Sequence, residues 1–118
     1  MLKHRVLSFK YAFEGIVAAL NDEPNMKFHF LAAALVIVAG FFFNLTEIEW
    51  LIVIFTIGLV IGIELTNTAI EEIVNSFTEE KHPSAKKAKD VAAGAVLVVS
   101  IMASLIGLII FLPHLLKL

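Results

Sequence analysis

The sequence predicts an all-α membrane protein, with an amphipathic helix lying on the bilayer surface followed by three transmembrane helices. Composition gives the first indication: of 118 residues, 59% are apolar and 17% charged, whereas a soluble domain is about half apolar and about a quarter charged. The second is the clustering of those charges between long apolar runs. The third is the runs themselves, at 28–45 (FHFLAAALVIVAGFFFNL), 50–63 (WLIVIFTIGLVIGI) and 91–112 (VAAGAVLVVSIMASLIGLIIFL). Crossing a hydrocarbon core of roughly 30 Å takes roughly 18 to 20 helical residues. The first run meets that length and the third exceeds it. The second spans only if its helix continues through ELTNTAI, which brings carboxylates to the membrane boundary. The chain is read as one integral-membrane domain over 1–118, with a surface helix at 1–23 and span-containing helices at 28–45, 50–74 and 86–112.

In residues 1–23, Val6, Phe9, Phe13, Ile16, Val17 and Leu20 recur at spacings of three and four. Cationic residues accompany this apolar face, as expected for a helix lying in the interface. Pro24 and Asn25 are expected to form a turn before the first span. Phe41 to Phe43 and Trp50 fall near the outer ends of spans one and two, where aromatic rings favour the interface. Asn44, Leu45 and Thr46 match a glycosylation sequon, but a loop this short beside a bilayer makes it a chance match. Pro83 and Ser84 mark the start of the last helix, with Ser84 as the expected cap, and Pro113 is expected to end it.

Lysines and arginines set orientation. Lys3, Arg5, Lys10 and Lys27 precede span one, Lys81, Lys86, Lys87 and Lys89 follow span two, and the intervening NLTEIEW has none. The N-terminus and the 76–90 loop are therefore expected on the cytoplasmic side. The first apolar run begins only at residue 28, so no signal peptide is expected. The absence of cysteine excludes disulfides and thiolate metal sites. A net charge of −2 gives no case for nucleic acid.

At about 100° per residue, Glu64, Asn67, Thr68, Glu71 and Asn75 fall on one side of the second span. Stacked carboxylates and an amide supply oxygen ligands for a hard cation. Glu72 points about 100° away and is expected to be solvated or paired with a lysine. A carboxylate at the rim of a bilayer is costly and functional by default. Two activities could use the stripe: proton-coupled export of a small cation through Glu64, or phosphoryl transfer with one carboxylate as base and others on metal. Lys86, Lys87 and Lys89 favour the second, as a nucleotide needs cations nearby. The Walker pattern and the kinase glycine-rich loop are absent. His29 reads as an interfacial side chain and His114 as incidental.

The segments ELTNTAIEEIVN and EEKHPSAKKAKDVAAGAVL, with KYAFEGI and NDEPNMKFH upstream, resemble the signature of the small bacterial integral-membrane diacylglycerol kinase family. The likeness runs from about residue 5 to residue 113. DEPNMKFH, IEWLIVIFTIG and IGLIIFLP look more like the undecaprenol kinase branch. The resemblance implies a homotrimer with shared sites that transfers phosphate from ATP, with magnesium, to the hydroxyl of a membrane lipid. By position it implies Glu64 as general base, Glu23 and Glu71 as magnesium ligands, and Asn67 orienting them. It implies nucleotide contacts from Tyr11, Glu80, Lys81, His82, Lys89 and Asp90 in addition to Glu23, Asn67 and Glu71, and lipid contacts from Phe13 and Glu64. The chain departs from the pattern at Asn75, where many members carry Asp, and at Ala93, where some carry Ser. The basic position near the N-terminus falls on His4 rather than Arg5.

Overall fold

A computed structural model describes residues 1–77 and 82–118. It contains four helices: α1 Leu2–Asp22, α2 Pro24–Phe42, α3 Glu47–Phe77 and α4 Pro83–Leu116. Helices α2, α3 and α4 are each long and apolar enough to cross a membrane. At 1.5 Å per residue α2 is about 29 Å long and just spans, whereas α3 and α4 reach about 46 and 51 Å and project beyond the hydrocarbon. Glu64 lies about 26 Å along α3, close to one hydrocarbon thickness from its start, and Glu71 about 10 Å further on. The polar stripe thus climbs out of the membrane along one continuous helix.

Proline chemistry sets two of the helix boundaries. A residue preceding proline is pushed out of the helical region, while proline itself suits the first helical position. Glu23 is accordingly extended (φ −108°, ψ 114°) and serves as both the last cap of α1 and the first of α2. Its N–H donates to the Ala19 carbonyl at 2.9 Å, and its carbonyl accepts from Met26 at 3.1 Å. The expected turn at Pro24 and Asn25 is therefore a one-residue corner, with both of those residues already in α2. His82 (φ −113°, ψ 124°) repeats the arrangement before Pro83. Its Nδ1 accepts from the Ser84 N–H at 3.2 Å, so His82 caps α4 rather than Ser84.

The α2–α3 connection is built from two caps. Asn44 adopts a left-handed conformation (φ 53°), and the Leu45 N–H reaches back to the Gly40 carbonyl at 3.1 Å, a Schellman closure. Thr46 and Glu49 then exchange bonds, Thr46 N–H to Glu49 Oε1 at 3.0 Å and Glu49 N–H to Thr46 Oγ1 at 3.2 Å, a capping box. Thr46 and Asn44 thus have local structural roles. Pro113 does not end α4, which runs on to Leu116 with Pro113 inside its last turns. So near the end, the missing N–H and the ring disturb only the final turn.

Helix α3 is the central element. It packs against α4, α2 and α1; α1 also packs against α2, while α2 and α4 make no backbone approach to each other among the described residues. Leu45, Val53 and Ile110 are buried together beside the α2–α3 connection, with Trp50, Phe43 and Phe111 against them. His114 Nε2 lies 3.0 Å from Glu49 Oε2, so this histidine ties the end of α4 to the start of α3 and is not incidental. Gly40 faces the indole: a Cβ there would stand 2.5 Å from Trp50 Cη2, in a ring that also packs on Phe41 at 4.9 Å between centroids. Gly40→Ala should overpack this cluster and destabilise the fold by about 1 to 3 kcal/mol, read as a lowered thermal midpoint in detergent; an unchanged midpoint would show that the ring moves aside freely.

Candidate active site

The polar stripe divides into two faces. Glu64 (2% exposed) and Asn67 (8%) are buried, and Glu71 is half-buried. Thr68 and Glu72 instead face α1, lining a cleft of about 520 Å³ with Glu23, Asp22, Gly15 and Ile16. Asn75 is exposed. Glu72 finds no lysine among the described residues and joins the carboxylates around Glu23. Asn67 Nδ2 donates to Glu71 Oε1 at 3.2 Å, which leaves Asn67 Oδ1 buried without a partner.

The proline corner holds Glu23 against this group. Desolvation, then repulsion from Glu71, Glu72, Glu64 and Asp22, raises its carboxyl above the ordinary range. Excess negative charge around a partnerless amide oxygen is a donor set suited to magnesium, which takes one or two carboxylates and fills its remaining positions with water and phosphate. Among the described residues no three His, Cys, Asp or Glu side chains converge into a group that could hold a metal ion by themselves.

On its other side Glu64 meets a residue that helical periodicity did not flag. His29 Nε2 stands 3.5 Å from Glu64 Oε2, so His29 faces the bundle rather than the interface. It lines a groove of about 340 Å³ between α2, α3 and α4, walled by Phe28, Ala33, Ile57, Ala103 and Phe111. Thr56 and Ser104 also line it, but their hydroxyls donate to the Ile52 and Ser100 carbonyls of their own helices. The groove surface is consequently apolar in character.

The remaining predicted residues are more dispersed. Tyr11 and Phe13 are 62% and 68% exposed on α1. His82 caps α4, Lys89 is half-buried on its second turn, and Asp90 pairs with Lys86. Since α1 and α4 do not touch among the described residues, a single chain does not bring Tyr11 together with Lys89 and Asp90. Glu80 and Lys81 lie outside the described residues.

A profile of the prokaryotic diacylglycerol kinase family matches residues 10–111. The chain belongs to this family. It is 47% identical to an undecaprenol kinase of Bacillus subtilis over 92% of its own length and 88% of the relative's. It is 38% identical to a diacylglycerol kinase of Synechocystis over 96% of its length and 65% of the relative's. A diacylglycerol kinase of Escherichia coli K12 is 29% identical, over 88% and 85% respectively. The chain is thus a membrane kinase, a phosphotransferase acting on an alcohol, and the exporter reading falls away.

A carboxyl with a raised folded-state pKa favours the fold while protonated, and that contribution is lost as pH rises through the raised value. Glu23→Gln should therefore raise the thermal midpoint at pH 7 in magnesium-free detergent, with the gain shrinking toward pH 4. A midpoint equal to that of the parent at pH 7 would refute the crowding of charge at the corner.

Proposed function

We propose that the chain transfers the terminal phosphoryl group of ATP to the hydroxyl of undecaprenol at the cytoplasmic face of a bacterial cell membrane. The observation that carries this reading is a buried carboxylate, Glu64, beside an apolar groove in a chain 47% identical to an undecaprenol kinase. The groove offers an apolar wall to a hydrocarbon tail, and Glu64 stands where the hydroxyl of such a tail would emerge. Diacylglycerol is the second acceptor, supported by the several relatives named diacylglycerol kinases.

Phosphoryl transfer depends on positioning and charge neutralisation more than on covalent chemistry. In this reading Glu64 accepts the hydroxyl proton as the alcohol oxygen attacks the γ-phosphorus. The bond from that phosphorus to the β–γ bridging oxygen breaks, and ADP leaves with the electron pair. Glu23 and Glu71 would hold magnesium, with Asn67 Oδ1 beside them; the ion would neutralise phosphate charge. Lys89 meets phosphate as a point charge, and Tyr11, Glu80, Lys81, His82 and Asp90 surround the nucleotide. A homotrimer would let a neighbouring copy close the separation between α1 and α4. The lysine distribution supports placing the N-terminus and the 76–90 loop in the cytoplasm.

Labelled ATP should phosphorylate undecaprenol in preference to diacylglycerol when both are offered to the purified protein in mixed micelles. Preference for the glyceride would overturn the substrate assignment. Glu64→Gln should lower turnover by about a hundredfold or more without loss of the folded oligomer, and unaltered turnover would remove Glu64 as base. Glu23→Gln and Glu71→Gln should each raise the magnesium concentration needed for half-maximal rate; unchanged magnesium curves would remove them as ligands.

A further inference from the structure

Glu64 must lose a proton once per turnover if it takes one from the alcohol, and at 2% exposure it has little direct access to water. The side chain placed to receive that proton is His29. It projects from the second turn of α2, with Nε2 3.5 Å from Glu64 Oε2 and 14% side-chain exposure against 3% for the carboxylate. The neighbouring Asn67 amide has no basic nitrogen, and its Nδ2 already donates to Glu71. Phe28 packs edge-on against the imidazole at 5.8 Å between centroids. From α3 the titratable group facing His29 is Glu64. From α4 the groove presents Ser100 and Ser104, and among its lining residues His29 is the one titratable side chain.

We propose that His29 is a positioning residue for the transfer. It holds the Glu64 carboxylate beside the groove and accepts through Nε2 the proton that Glu64 has removed from the alcohol. The carboxylate is restored and the imidazole becomes imidazolium, which releases the proton to water once the phosphorylated lipid has left the groove. The 3.5 Å separation exceeds a hydrogen bond of about 2.7 to 3.2 Å, and closing it takes a small rotation of either side chain. Catalytic contacts are often long before substrate is bound. An imidazole suits the role because a ring nitrogen can both accept and release a proton.

This inference rests on the lipid-kinase reading, and a single assay separates the two. The parent protein, His29→Gln and His29→Ala are compared for transfer of labelled phosphate from ATP to undecaprenol and diacylglycerol in mixed micelles, with oligomer size and thermal midpoint followed in parallel. For both variants kcat should fall about tenfold or more, while KM for ATP and the magnesium requirement stay within about twofold. Added imidazole should restore several-fold of the lost kcat to His29→Ala and none to Glu64→Gln. Full kcat in both histidine variants would overturn the role of His29. So would a loss that imidazole fails to rescue, which would mark His29 as a packing residue. Failure of the parent itself to label either lipid would overturn the kinase reading and this inference together.

Discussion

Keeping a carboxylate 2% exposed at the edge of an apolar bundle is the constraint around which the remaining structure is arranged. An acid at the centre of a span costs about 2.5 to 3.5 kcal/mol on insertion scales, and three features keep Glu64 away from that extreme. It lies about 26 Å along α3, near the far end of the apolar stretch rather than at its middle. The stripe continues through Asn67 and Glu71 toward solvent on a helix too long to end inside the membrane. And α2 brings His29 against it from the opposite side. Shortening α3 to the bare length of a span would strand Glu64 at the end of its helix and remove Glu71 altogether.

The second organising element is local backbone chemistry. Two residues with expected roles, Glu23 and His82, each precede a proline and are each extended for that reason. Without Pro24, α1 and α2 could continue as a single helix, and Glu23 would rotate with it instead of standing at a corner against α3. The proline therefore acts on electrostatics: by fixing the corner it gathers Glu23, Glu64, Glu71 and Glu72 into one region whose repulsion the isolated chain leaves uncompensated. A divalent cation bound there would offset a repulsion that the backbone has already imposed.

The fold was largely legible because hydrophobic run length and helical period are properties of single segments. The N-terminal helix, the three spans and the continuation of α3 through ELTNTAI follow from such properties. Readings failed where a partner from elsewhere decides the outcome. His29 and Glu64 are 35 residues apart and His114 and Glu49 are 65 apart, and no periodicity within one helix encodes either meeting. The stripe was over-grouped for a similar reason: Thr68 lies on the face that α1 covers, beside Glu72, and only the docking of α1 separates it from Glu64. Other misses were local and their signals were present. Thr46-x-x-Glu49 before an apolar run is a capping box, and Glu-Pro and His-Pro each mark the cap residue ahead of a helix that starts with proline.

The splay of α2 from α4 makes this topology function as a site rather than as a packed bundle. With α3 between them and no close backbone approach, the two outer spans leave a groove whose walls are largely apolar and in which the Thr56 and Ser104 hydroxyls are engaged by their own helices. A hydrocarbon chain can enter from the lipid with little desolvation, since it leaves one apolar medium for another, and its alcohol is the only part that demands polar company. In the proposed reaction that company is Glu64 and His29, and phosphate is met about 10 Å further along the same helix at Glu71, with Glu23 near it. In the proposed reaction the two substrates would reach α3 at different heights along its axis, the lipid from the groove beside Glu64 and the nucleotide from the end of α3 that projects beyond the apolar span. On this geometry the two substrates need never share an entrance, and the membrane boundary itself orients them for transfer.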